Sequence, residues 1–145
     1  MIKSVLVVCV GNICRSPTGE RLLAQACPDL RIESAGIAAL EGHEADKTMR
    51  EVAGENGLSL EGHVARQFTA EMAAGYDLIL ALEKGHIRVI TEMAASASGK
   101  TMLLGQWMSA PEIADPYKKS REFYEIVYTQ LAEASAGWAK KLGAK

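Results

Sequence analysis

From Val5 to Val10 every side chain is apolar, with β-branched residues dominating and no polar position interrupting the run. Such a run without alternation predicts a strand from Ser4 to Val10, buried on both faces. Pro17 to Ala26 carries Leu22, Leu23 and Ala26 on one side and reads as a helix. A short strand follows from Arg31 to Ser34 and ends at Ala35-Gly36. Asp46 to Glu55 is helical, stopped by Asn56-Gly57. Thr69 starts a short helix. Tyr76 to Leu82 repeats the pattern of a buried strand, and Lys84 to Ala95 returns to helical spacing at Ile87, Ile90 and Met93. Thr101 to Leu104 is a further core strand. The closing helix, Arg121 to Leu142, aligns Phe123, Val127, Leu131, Ala134, Trp138 and Leu142 on one side.

Strands alternate with helices, which predicts an α/β fold with a parallel sheet and helices on both faces. No repeat, low-complexity tract or linker divides the chain, so residues 1–145 are expected to form one domain. The longest irregular stretch, Gly105 to Ser120, is long for a compact domain and is expected to be functional.

Composition adds exclusions. The formal net charge is −2, so nothing in the global field draws the chain to nucleic acid or an anionic membrane. The apolar start is too short to cross a bilayer and lacks a small-residue cleavage site, so no membrane insertion is expected. Cys9, Cys14 and Cys27 are an odd, clustered set rather than a disulfide framework, which points to a reducing, cytoplasmic setting.

The first strand delivers Cys9 to its carboxyl end, the edge at which open α/β sheets bind ligands. From Val10 through Gly11, Asn12, Ile13, Cys14 and Arg15 to Ser16 no proline removes an amide donor. Gly11 and Asn12 are types that tolerate positive φ, so the loop can aim successive amides at an anion. Ser16 is suited to cap the next helix and Pro17 to open it. That helix terminus and the Arg15 fork favour a bound dianion. In such a cup the thiolate form of a cysteine is favoured, which makes Cys9 the candidate nucleophile facing a phosphate.

Thiolate attack on phosphorus requires a proton for the leaving group. Asp115, in Ala114-Asp115-Pro116-Tyr117, is the candidate acid, with Pro116 stiffening its placement and Tyr117 able to pack beside an aromatic substrate.

These motifs carry a family resemblance. Val8-Cys9-Val10-Gly11-Asn12-Ile13-Cys14-Arg15-Ser16-Pro17, with Cys-x5-Arg spacing, resembles the signature of low-molecular-weight protein tyrosine phosphatases. Asp115-Pro116-Tyr117 resembles that family's acid motif and Ser34-Ala35-Gly36 its second-strand motif. The resemblance implies a four-stranded parallel sheet, a phosphocysteine intermediate, inorganic phosphate as product, and no metal or other cofactor. It implies that Asn12, Ser34 and His63 brace the loop and that Cys14 forms a reversible, protective disulfide with Cys9. Beside this resemblance, Ser16 is expected to support the loop from behind and Tyr117 to line the substrate rim, with Leu40 either at that rim or an ordinary loop leucine. Leu60 to Arg66, Tyr76 to Leu80 and Gly105-Gln106-Trp107 are similar to the bacterial capsule and exopolysaccharide branch. That branch implies a phosphotyrosine protein as partner, specifically a tyrosine autokinase. Two tyrosines follow Asp-Pro in animal relatives; here Lys118 follows Tyr117.

Other functions fit less well. Thiol-cascade arsenate reduction on this fold needs cysteines downstream of Cys27, and none occurs. No phosphate-binding loop of the G-x-x-x-x-G-K-[ST] type and no G-x-G-x-x-G is present. A phosphate-binding module without turnover would not need both Cys9 and Asp115. His43 and His86 lack metal-ligand spacing and are expected to be solvated. Trp107 and Trp138 are expected in the core.

Overall fold

The computed structural model describes residues 1–143. Four parallel strands form one sheet in the order β2-β1-β3-β4: β1 is Ser4–Cys9, β2 Arg31–Gly36, β3 Leu78–Ala81 and β4 Thr101–Leu103. The helices are α1 (Arg15–Ala26), α2 (Lys47–Glu55), α3 (Ala70–Ala73), α4 (Lys84–Met93) and α5 (Arg121–Lys141). The α/β fold with helices on both faces is the one the pattern predicts. A 3-10 turn at Ala95–Ala97 ends the predicted Lys84–Ala95 helix early; β1, β3 and β4 are shorter than expected, whereas β2 runs on through Ala35-Gly36, past the expected end at Ser34.

Alternation along β1 explains both faces. Val5, Val7 and Cys9 point into a core shared with Leu23 of α1 and with Val127, Leu131 and Trp138 of α5. Leu6 and Val8 point the other way, against Phe68, Ile79 and Ile90. Both sides are covered, which is why Val5 to Cys9 carries no polar residue.

The chain leaves β1 toward β2 on one side and later returns to β3 on the other. The carboxyl end of β1 is therefore the switch point of the sheet, where Cys9 stands. There Cys9 pairs with Gly36. A Cβ on Gly36 would sit 2.3 Å from the Val10 carbonyl oxygen, so only glycine lets β2 pass this close to the loop. Gly105 plays the same part in the long loop, where a Cβ would meet the Pro111 carbonyl oxygen at 2.2 Å. That contact folds the loop back toward the strand ends.

Candidate active site

The loop from Cys9 to Cys14 has its carbonyls drawn outward. The oxygens of Cys9, Val10 and Gly11 accept from the amides of Ile37, Ala38 and Leu40; that of Asn12 accepts from His63 Nε2 at 2.6 Å, and that of Ile13 from the Asp46 amide at 2.7 Å. The Cys14 oxygen is taken by Thr18 Oγ1 at 2.8 Å. With the oxygens held from outside, the loop amides are left available for an anion nest.

Helix α1 begins at Arg15, with Cys14 in the capping position and no side chain capping the first turn. This differs from the expected Ser16 cap and Pro17 start. Ser16 is spent on Cys9 instead, and Pro17 falls within the first turn, where a missing N–H costs no helical bond. The first-turn amides keep their capacity to bind an anion. The left-handed turn also rests on one residue rather than two: Asn12 has φ 58°, whereas Gly11 is not in that region. Asparagine tolerates it because its short polar side chain bonds locally.

Those bonds form a buried network. Asn12 Nδ2 donates to Ser16 Oγ at 2.8 Å and to Ser34 Oγ at 3.0 Å, and Asn12 Oδ1 accepts from the Arg66 amide at 2.9 Å. Ser34 Oγ donates a hydrogen bond to Glu20 Oε1 at 2.6 Å. Ser16 Oγ lies 2.9 Å from Cys9 Sγ. His63 is buried, and burial pushes its imidazole below its ordinary pKa. Its contact to the loop is a brace to a carbonyl, not an approach to the cleft.

One cleft brings together Cys9, Val10, Gly11, Ile13, Cys14 and Arg15 with Asp115 from a hundred residues away. Ala38, Leu40 and Tyr117 complete its wall. Cys9 and Arg15 are 3% and 2% exposed on its floor, while Leu40 and Tyr117 are 37% and 39% exposed at its mouth. Asn12 and Ser16 are fully buried behind it.

Arg15 is held by one nitrogen. Nη1 donates to Glu83 Oε2 at 2.6 Å and to the Ile113 carbonyl at 2.8 Å. The opposite edge, Nε with Nη2, has the planar two-donor geometry that suits an oxyanion. Asp115 Oδ2 stands 3.8 Å from Nη2, and its Oδ1 accepts from the Tyr117 amide at 3.1 Å. Sequence reasoning missed Glu83, Ile113, Glu20 and Arg66. Glu83 alone left a signal, since it follows the buried β3 run directly and so sits at the functional edge of the sheet. The Ile113 carbonyl and Arg66 amide are main-chain groups with no side-chain signature.

Cys14 is buried, and its thiol is pushed well above the ordinary range by that burial, with Asp46, Cys9 and Asp115 adding to the effect and Arg15 opposing it. His43 is exposed, but His86 is buried, against the expectation of a solvated residue, because α4 packs its first turn behind Arg15. Trp138 is in the core, donating Nε1–H to the Leu103 carbonyl at 2.9 Å. Trp107, expected in the core, is 47% exposed; it lies edge-on to Trp138 under the Lys141 ammonium.

A cysteine, an arginine fork and a carboxyl group around an amide cradle define a cysteine-dependent phosphatase class, and the family profile described as "Low molecular weight phosphotyrosine protein phosphatase" matches residues 4–145. The chain belongs to that family and is a low-molecular-weight protein tyrosine phosphatase. It is 55% identical over 139 residues to the low-molecular-weight protein-tyrosine-phosphatase Etp of Escherichia coli K12, covering 96% of this chain and 94% of Etp. The crystal structure of the Erwinia amylovora tyrosine phosphatase AmsI superposes with a TM-score of 0.97 at 53% identity, over 99% of this chain and 95% of AmsI. The tyrosine phosphatase Wzb from Escherichia coli K30, solved with sulphate, gives 0.97 at 50% identity, over 99% of this chain and all of that one.

Proposed function

We propose that the chain removes phosphate from tyrosine through a phosphocysteine intermediate. The Cys9 thiolate attacks phosphorus while the amide cradle and Arg15 hold the equatorial oxygens. The bond from phosphorus to the tyrosyl oxygen breaks, and protonated Asp115 gives its proton to that oxygen. The Asp115 carboxylate then takes a proton from water, the resulting hydroxide attacks the phosphocysteine, and the sulfur–phosphorus bond breaks. Inorganic phosphate leaves and the thiolate is restored.

The observation that carries this reading is the shared cleft, with Cys9 and Arg15 at its floor and Asp115 beside Arg15 at its side. The buried floor and exposed mouth favour an aryl phosphate, whose ring can span the depth between Leu40 and Tyr117. A seryl phosphate lacks the ring that would pack between these two side chains.

For the partner, similarity to Etp, Wzb and AmsI and to the capsule and exopolysaccharide branch supports a tyrosine autokinase controlling polysaccharide production, met in the cytoplasm. No described helix is long and apolar enough to cross a membrane. The test compares phosphotyrosine, phosphoserine and phosphoarginine peptides, with Cys9→Ser as control. Phosphotyrosine is turned over fastest, and a rapid-quench mass spectrum of the wild type shows one added phosphate on Cys9. Undiminished turnover by Cys9→Ser would refute the nucleophile.

A further inference from the structure

Glu83 is the N-cap residue of α4, yet its carboxylate makes no bond to its own helix. It turns to Arg15, and Glu112 from the acid loop accepts from the Lys84 amide at 2.9 Å in its place. A carboxylate 38% exposed on a flexible side chain needs a second contact to hold that rotamer against water.

That contact is His86. It is 8% exposed, and Nε2 lies 3.6 Å from Glu83 Oε2, the oxygen that grips Arg15. Its Nδ1 is buried without a hydrogen-bond partner. The charged groups acting on it are Arg15, Glu83, Asp115 and Glu112. Burial and the Arg15 cation both push it below its ordinary pKa, so it is neutral at pH 7. With one ring proton to place, Nε2–H facing the carboxylate leaves Nδ1 as a bare acceptor, a smaller loss than an orphaned buried N–H. A neutral imidazole supports Glu83 without competing with Arg15 for its charge.

We propose that His86 is a positioning residue for Arg15, acting through Glu83. The proposal rests on the reading of Arg15 as the phosphate fork. Hydrolysis of p-nitrophenyl phosphate and its inhibition by inorganic phosphate test it in His86→Leu, His86→Gln, His86→Asn, Glu83→Gln and the His86→Leu/Glu83→Gln double variant, with Arg15→Lys as control. His86→Leu raises the phosphate inhibition constant about fivefold, and the double variant is no worse than Glu83→Gln alone, because the two act in series. Glutamine can place an amide N–H where Nε2 stands and restores affinity, whereas asparagine is too short to reach Glu83. The glutamine–asparagine pair carries the test if the leucine variant melts below the assay temperature. Unchanged inhibition in both His86→Leu and His86→Asn, or effects that multiply in the double variant, overturns the proposal. If Arg15→Lys also binds phosphate normally, the reading of Arg15 falls with it.

Discussion

Ser16 Oγ lies 2.9 Å from Cys9 Sγ while accepting the Asn12 Nδ2–H at 2.8 Å. With a lone pair occupied by asparagine, the hydroxyl proton has two acceptors in reach, the sulfur at 2.9 Å and the Ala35 carbonyl at 3.4 Å, and a thiolate would be the nearer and the charged one. A hydrogen bond to a charged group contributes about 1.5–3 kcal/mol. Ser16→Ala should therefore lower turnover of p-nitrophenyl phosphate by about tenfold or more. Undiminished turnover in that variant would remove Ser16 from the account of the nucleophile.

Asp115 is exposed and close to Arg15, as a proton donor to a departing phenol must be. Asp115→Asn should slow turnover by about 10²–10⁴-fold for alkyl-like leaving groups and much less for p-nitrophenol, which leaves without a proton. A leaving-group series measured on both proteins decides it; parallel slopes would assign the acid elsewhere.

Both buried histidines bind protons more weakly in the fold than in the unfolded chain, chiefly through burial. For a folded-state pKa below the unfolded one, the unfolded chain takes up protons first as pH falls. Stability is therefore greatest above about pH 6.5 and declines below it. The lowered carboxyl groups of Glu33, hydrogen-bonded by Tyr76 and Arg31, and of Asp77, bonded by the Lys3 and Ser4 amides, lose stability in the same direction at more acidic pH. Thermal melts from pH 8 to pH 5 should fall, and His63→Gln should flatten the upper part of the curve.

Cys14 lines the cleft with Cys9, but its thiol resists ionisation. Peroxide is expected to oxidise Cys9 to the sulfenic acid, whose condensation with the Cys14 thiol would form the disulfide and release water. Because thiolate is the attacking form, this closure should be slow and accelerate with pH. Peroxide inactivation should be reversed by thiol in the wild type and become progressively irreversible in Cys14→Ser. A mass spectrum without a Cys9–Cys14 linkage would refute the protective pairing.

Lys118 has φ 63° in the turn closed by the Lys119 amide on the Pro116 carbonyl at 2.8 Å. This is the third position of a type II turn, where glycine is at ease and lysine is not. Lys118→Gly should raise thermal stability by up to about 1 kcal/mol, less the entropy that glycine adds to the unfolded chain. An unchanged or lower melting temperature would show that the Lys118 ammonium over the Tyr117 ring, 5.4 Å from its centre, contributes more than the strain costs.

Much of this was legible because local pattern and tertiary position agree. The unbroken apolar run of β1 announced burial on both faces, and the residues after it announced an anion site at the strand's end. What escaped reading depended on side-chain direction. Ser16 was an obvious cap by type, but it turns to sulfur, and the helix starts one residue before it. His86 carried no ligand spacing and so looked solvated, although α4 places it behind Arg15. Glu83 was legible in position only, because its partner lies on a different element.

The hydrogen bond from Arg15 to the Ile113 carbonyl joins the nucleophile loop to the chain two residues before Asp115. One side chain is thus a structural member of two motifs that lie far apart in sequence. Kinetic losses on replacing Arg15 will sum phosphate affinity with acid placement and cannot be assigned to either alone. The same tie limits how this enzyme can vary: a change that shifts the backbone at Ile113 is felt at the Arg15 guanidinium, so the signature loop and the acid loop are mechanically coupled.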